Sequence, residues 1–339
     1  MFRPSRIPGR IAVAIAPLAA LCVLGACVDR VADKAEADRI ATAFPDWAFP
    51  GAGVGSAPPP PDEILHVPGS DRTYSRTQIA DMMHAPDWRP ETHPAPPAIV
   101  LTGAGAPVFA CGYCHLPDGA GRPENASLTG LPADYIVGQV LAMRSGDRAG
   151  AKPDWPPSHF MTGEASGVRD EDLRAAAAYF AVLKLPRQRT VREVARVRHP
   201  VAAHYLFRPG EGEGPMEPIG LRILEGPVDF GRFERRDPQG AFEVLVPTGS
   251  LARGKVLAAA GAGATPACGS CHGTDLKGGA VPGAPPLAGR SPSYLFRQLW
   301  AFRTGARHGG MAEVMRPVAA VMSRSDMIAA AAWDGSLEP

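Results

Sequence analysis

The chain has 339 residues, room for two or three domains with cores of their own, since domains commonly run to about 100–150 residues. Lysine and arginine (35) nearly balance aspartate and glutamate (34), giving a formal charge of +1. An N-terminal leader carrying Arg3, Arg6 and Arg10 would take three positive charges with it and leave about −2, which offers nothing to attract a phosphate backbone and excludes nucleic acid as a partner. With 38 glycines, 37 prolines and only 7% aromatic residues, much of the chain is expected as loop wrapped around something other than an ordinary hydrophobic core.

Residues 1–26 read as an export signal, in which the basic stretch is followed by an apolar run from Ile11 to Leu24. Leu24-Gly25-Ala26-Cys27 has the form of a lipobox, which would make Cys27 the lipidated first residue of a protein tied to a bacterial membrane from the periplasm. Ordinary cleavage after Ala26 and an uncleaved anchor are the alternatives, although the run is short for a full span. Lipidation gives a role to a thiol that would otherwise stand alone in an oxidising compartment; Cys22 leaves with the signal. Residues 27–98 are expected as an N-terminal extension or tether. It opens with a charged stretch, Asp29 to Arg39, and includes the semi-rigid spacer Pro58-Pro59-Pro60-Pro61. A helix is expected from Arg76 to His84, with Ser75 and Gln78 forming its capping box.

Two modules follow, at 99–186 and 250–339, around a segment (187–249) whose short runs Tyr205–Phe207, Ile219–Leu224 and Phe242–Val246 predict a small β-rich insert. The modules are a repeat. Leu128, Gly130, Tyr135, Gln139, Arg144, Gly146 and Arg148 recur 159 residues later as Leu287, Gly289, Tyr294, Gln298, Arg303, Gly305 and Arg307. Asp172 to Tyr179 and Asp326 to Trp333 match at an offset of 154 and read as the last helix of each module.

Each module opens with a Cys-x-x-Cys-His run: Cys111-Gly112-Tyr113-Cys114-His115 and Cys268-Gly269-Ser270-Cys271-His272. Covalent haem attachment needs two thiols at this spacing for the porphyrin vinyl groups and a histidine immediately after them to bind the iron. Two covalent haems c are therefore expected, and a buried porphyrin would supply the missing apolar bulk. A zinc site explains neither trailing histidine, and its cysteine pairs would not lie about 150 residues apart. A thioredoxin-like dithiol would follow a βαβ pattern that is absent here. For the sixth iron ligand the repeat selects Met161 and Met315, since Met143, Met322 and Met327 pair with Phe302, Val168 and Leu173; His159 stands close enough to compete with Met161. Arg148, Arg307, Tyr135 and Tyr294 are candidate partners for buried haem propionates, with Arg144 and Arg303 one turn earlier.

On these motifs the chain resembles the class I dihaem cytochromes c, similar in each module to the two-domain periplasmic carriers and to the haem subunit of flavocytochrome c sulfide dehydrogenase. The resemblance implies a mainly α fold of two cytochrome modules. It implies thioether bonds at Cys111, Cys114, Cys268 and Cys271, and iron ligation by His115 with Met161 and by His272 with Met315. The β-rich insert and the Pro-rich extension depart from the family pattern. The implied function is single-electron transfer, without catalysis, from a dehydrogenase or quinol-oxidising complex to an oxidase or another cytochrome. A dedicated subunit of a dehydrogenase complex and a dihaem peroxidase or reductase are the rivals; the latter would need one open iron position.

Overall fold

Helices dominate both halves of the repeat. The computed structural model describes residues 43–53, 63–210 and 214–339; the leader, Cys27 and Pro58–Pro61 lie outside the described residues. In chain order, a short 3-10 turn at Asp46–Ala48 precedes the antiparallel pair β1 (Ile64–Leu65) and β2 (Tyr74–Ser75) and helix α1 (Arg76–Ala80). The first module holds α2 (Ala98–Leu101), α3 (Cys111–His115), α4 (Ala133–Ser145), α5 (Pro156–Gly167) and α6 (Asp170–Ala181). Between the modules run β3 (Arg189–Val194), β4 (Arg196–Arg198), β5 (Pro200–Ala203), β6 (Leu206–Pro209), β7 (Met216–Pro218), β8 (Leu224–Pro227), α7 (Phe230–Glu234) and β9 (Phe242–Pro247). The second module repeats the helical series as α8 (Ser250–Ala260), α9 (Gly269–His272), α10 (Pro292–Thr304), α11 (Ala312–Val321) and α12 (Arg324–Ser336).

Matched signals terminate matched helices. α4 and α10 both stop at a left-handed glycine, Gly146 (φ 86°) and Gly305 (φ 76°), whose N–H closes the last turn. α6 opens on Asp170, Glu171 and Asp172, and α12 on Ser323, whose side chain accepts from the Asp326 N–H. Arg144 and Arg303 are not turned to a ligand: Arg144 donates to the carbonyls of Ala165 (2.9 Å) and Val168 (2.8 Å), and Arg303 to that of Ala319 (3.2 Å). Each clamps the corner between the last two helices of its module, satisfying carbonyls that a helix end leaves orphaned.

The inter-module segment packs into the second module's core. β9 runs parallel to β3, with Arg189 opposite Phe242, and antiparallel to β8. Val244 and Val246 of β9 and Ile223 share a buried cluster with Leu257, Phe296, Trp300, Met327 and Ile328. A buried ion pair fixes the junction: Arg189 Nε meets Glu225 Oε1 at 2.9 Å, while Glu225 Oε2 accepts from Ser291 Oγ (2.7 Å) and the Ser293 N–H (3.0 Å) at the start of α10. The serines use the remaining lone pairs of the carboxylate, while Nη1 and Nη2 of Arg189 have no hydrogen-bond partner among the described residues. Ile219–Leu224 is not a strand; it is looped at Gly220 (φ 58°), with Arg222 bonding back to the Ile219 and Pro218 carbonyls, and β8 begins only at Leu224.

The described part of the N-terminal extension is packed, within a single compact unit spanning residues 45–339. Leu65, Val67, Ile79 and Trp88 form a cluster of their own, and Trp88 Nε1 donates to the Arg235 carbonyl at 2.7 Å. The capping box of Ser75 and Gln78 is present, but the helix ends at Ala80, four residues short of His84. Asp81 ends it: one oxygen accepts from the Met83 N–H (2.8 Å) and the other bonds His84 Nδ1 (2.7 Å), a local pattern that competes with the helical ladder.

Candidate haem sites

The first module encloses a cavity of about 860 Å³, within the range of cofactor pockets. Cys111, Cys114 and His115 line it from one turn of helix, and Ile136, Val140, Leu173 and Phe180 give it apolar walls. His115 is half-buried, and its Nδ1 lies 2.7 Å from the Ala126 carbonyl. A carbonyl only accepts, so Nδ1 carries the proton and Nε2 is left with its lone pair free. Burial also pulls the imidazole below its ordinary range, towards the neutral form that binds a metal. His272 repeats the arrangement: its Nδ1 lies 2.8 Å from the Pro285 carbonyl, and burial lowers it in the same way. This is the outer-shell hydrogen bond that fixes the tautomer and orientation of a ligating histidine.

The sulfur environments suit a haem rather than zinc. Burial pushes the Cys111 and Cys268 thiols up to about 12 and raises Cys114. Zinc binds thiolates, which these surroundings disfavour, whereas a thioether is neutral. Among the described residues no three His, Cys, Asp or Glu side chains converge to hold a metal ion. An apolar cavity, two neutral sulfurs on one face of a turn and an imidazole presenting Nε2 together fit a covalently held porphyrin.

The sixth-ligand candidates separate by position. Met161 lines the cavity and packs with Val140, Ala165 and Leu173, whereas His159 is exposed and stands beside Phe160. Met143 and Met82 also line the cavity; the repeat gave no reason to single out either. Met315 packs at the edge of the second core, on α11.

Tyr135, Arg148, Tyr294 and Arg307 meet in one network that crosses between the modules. Arg148 donates to Gln139 of its own module (2.9 Å) and to Tyr294 (2.9 Å) and Gln298 (3.2 Å) of the other. Arg307 reciprocates, with Gln298 at 2.9 Å and Gln139 at 2.7 Å, and also bonds Tyr135. Burial acts to raise the Tyr135 phenol, but the guanidinium charges of Arg307 and Arg148 outweigh it and hold it below its usual value. Both glutamines recur in the sequence repeat, which was the signal for their role. Around this network Arg290 and Arg297 are also buried, each lowered to about 10 by that burial, and Arg189 is paired with Glu225. The cations outnumber the carboxylates.

Part of the first cavity's wall is foreign to the cytochrome repeat. His204, Tyr205, Phe233, Glu234 and Arg236 come from the inter-module segment, and Arg76, Ile79, Ala80 and Met82 from the extension. His204, Tyr205 and Arg236 hold positive φ without being glycine, at 46°, 68° and 56°, strain that concentrates at functional sites.

Two Cys-x-x-Cys-His turns with carbonyl-oriented histidines define a protein that carries two covalently bound haems c. No protein-family model matches the chain. It is similar to cytochrome c-554(548) of Halomonas halodenitrificans, 43% identical over 81 residues that span 24% of this chain and 96% of that protein. Cytochrome c4 of Azotobacter vinelandii is 28% identical over 229 residues, 66% of this chain and 82% of its own length. A thiosulfate dehydrogenase electron acceptor of Thiomonas intermedia is 26% identical over 234 residues, 68% of this chain and 80% of its own. The chain belongs to the class I cytochromes c, in their dihaem form, and is an electron-transfer protein.

Proposed function

We propose that this protein is a periplasmic, lipid-anchored carrier that passes single electrons between an exported or membrane-bound donor and a respiratory acceptor. The observation that carries the reading is the duplicated histidine geometry, in which a backbone carbonyl holds Nδ1 and leaves Nε2 free in both modules. Bound haem supplies the ferric/ferrous couple. Cys111, Cys114, Cys268 and Cys271 would hold the groups, with His115, Met161, His272 and Met315 as the iron ligands. A methionine ligand favours the ferrous state and closes the iron to outside molecules. The excess of buried guanidinium around Arg148 and Arg307, with Tyr135 and Tyr294, is matched by the propionates that each haem brings, which would seat both groups towards the module junction. The inter-module strands act as a β-rich insert and the extension as a cover for the first pocket, joined through the proline run to lipidated Cys27.

Haem content tests the centre of this reading. Denatured protein made with the cytochrome c maturation machinery keeps two covalent haems, and Cys268→Ala with Cys271→Ala keeps one; a mass without haem refutes it. Membrane fractionation of Cys27→Ser tests the anchor, which is wrong if that variant stays as membrane-bound as the parent.

A second reading, a dedicated subunit of a dehydrogenase complex, is favoured by the foreign wall of the first cavity and by the relative named as acceptor for thiosulfate dehydrogenase. Retention of a catalytic partner through purification at high salt, which screens transient docking but not an apolar interface, distinguishes it from a free carrier.

A further inference from the structure

At one position buried in both modules, the matched last helices carry an aromatic residue in one and a carboxylate in the other. Phe180, 1% exposed, closes α6; 154 residues on, α12 carries Asp334, 5% exposed. A carboxylate in such a place is costly unless it is paired, and this one is not. Asp334 Oδ1 has no hydrogen-bond partner among the described residues; the residue's engaged group is its backbone carbonyl, which accepts from the Gly289 N–H at 2.9 Å.

The surrounding elements bring no free cation to it. Leu276, Leu287 and Ala288 pack in this corner with Ala258 of α8, and Lys255 of α8 has its ammonium over the Trp333 ring at 5.9 Å. In the adjoining loop Asp275 accepts from the Lys277 N–H, and Lys277 Nζ donates to the Pro339 carbonyl. Arg290 spends its guanidinium on the carbonyls of Pro286, Ser127 and Thr129, Arg189 of β3 is paired with Glu225, and Glu338 is paired with Arg187. The Asp334 charge is felt at the Cys268 sulfur, the first haem-bearing sulfur of the module. Burial alone pushes the carboxyl up to about 8, so it changes protonation near physiological pH.

We propose that Asp334 is the site where proton uptake is coupled to reduction of the second haem. This rests on that module holding haem c at Cys268 and Cys271. Asp334 takes one proton from solvent as one electron arrives from the redox partner, so that ferric iron and carboxylate become ferrous iron and neutral acid with no net change of charge. The coupling acts through an apolar interior, where charges are poorly screened. Phe180 leaves the first module without this group. In that module Glu164 is half-buried and accepts from the Phe109 N–H at 2.7 Å, and the buried Glu124 is paired with Arg122.

The test is a redox titration of the full-length, haem-loaded protein at a series of pH values, with covalent haem counted first. One of the two midpoint potentials is expected to fall as pH rises through about 8, the slope approaching about 59 mV per unit, the one-electron equivalent of a tenfold change. Met315→Ala identifies that potential as the second haem's. Asp334→Asn is expected to flatten its slope and leave the other potential's profile unchanged. Two covalent haems with an unaltered slope in Asp334→Asn overturn the proposal, while a protein without haem at Cys268 and Cys271 overturns the earlier reading and this one with it. Should Asp334→Asn fail to fold, reduction-induced infrared difference spectra of the parent at about pH 8 decide the matter. A protonated-carboxyl stretch that grows on reduction and shifts in D2O supports coupling, and its absence overturns it.

Discussion

Gly254 sits where α8 crosses α12, and replacing it with alanine puts a methyl into atoms that cannot turn aside. The added Cβ would lie 2.1 Å from the Ala329 carbonyl oxygen and 2.5 Å from Trp333 Cβ, where ordinary contact begins at 3.4 Å. The obstacles are the backbone and the stem of a facing helix, so the helices must part by about 1.3 Å to restore contact distance. That loosens Leu257, Met327, Ile328 and Ala331, all fully buried beside the crossing. Overpacking of a tight core costs about 1–3 kcal/mol, and at a backbone contact the upper end applies; the better helix propensity of alanine returns about 1 kcal/mol. The net expectation for Gly254→Ala is a loss of about 2 kcal/mol. Gly138 provides the control: it is exposed on α4 with nothing within 4 Å of its added Cβ, so Gly138→Ala should gain about 0.5–1 kcal/mol. Urea unfolding of the haem-loaded variants, followed by far-UV circular dichroism, measures both. A Gly254→Ala protein as stable as Gly138→Ala would refute the close crossing.

Two other substitutions test the first site. Met161→Ala is expected to lower that haem's potential and open it to carbon monoxide, while His159→Ala leaves both unchanged; the reverse result would move the ligand to His159. Glu164 is pushed up to about 7 by burial, from an ordinary 4.5, against the lowering effect of the Phe109 N–H. Its folded form therefore binds a proton more tightly than its unfolded form, and the protein should lose stability as pH rises from about 4.5 through about 7. Glu164→Gln removes that part of the pH dependence of the urea midpoint, and an unchanged profile would show that the carboxyl carries no such cost.

What could be read in the sequence was what chemistry or repetition writes locally. Thioether attachment needs its two cysteines and histidine within five residues, so both motifs were legible without a fold, and the pairing in the repeat singled out Met161, which lines the first cavity. The helix stops at Gly146 and Gly305 were legible for the same reason. The cavity wall was not: His204, Arg236 and Met82 reach it from distant segments, and no periodicity records such a contact. Tyr135, Arg148, Tyr294 and Arg307 were found through their repetition, but one sequence read one module at a time gives no sign that each arginine bonds the other module's glutamine. Ile219–Leu224 misled because an apolar run reads alike as strand or buried loop, and Gly220 and Arg222 decide for the loop only through their backbone geometry.

The extension and the reduced first module have a common explanation in the second residue of each haem motif. A Cβ on Gly269 would meet the Ala258 carbonyl of α8 at 3.1 Å, and one on Gly112 would meet the Val100 carbonyl of α2 at 2.7 Å. The same helix end therefore sits against the same turn in both modules, and four-residue α2 stands where α8 has its last turn. With the earlier turns missing, the first module has lost the cover that an opening helix gives its haem turn, and residues 76–110 supply another. The Ala110 N–H donates to the Met82 carbonyl (3.0 Å), the Gly103 N–H to that of Met83 (2.8 Å), and Tyr113 Oη to that of Ala80 (3.3 Å). Arg236 completes the cover, its guanidinium 3.5 Å from the centre of the Tyr113 ring and bonded to the Tyr113 carbonyl at 2.6 Å. Tyr113 thus joins the extension to the inter-module segment across the haem turn, whereas Ser270, its counterpart in the second module, is exposed and bonds only locally, to Ala267 and Cys271. The two haem turns share one origin and one ligand geometry but meet their surroundings differently, the first enclosed by segments from outside the repeat and the second open at Ser270.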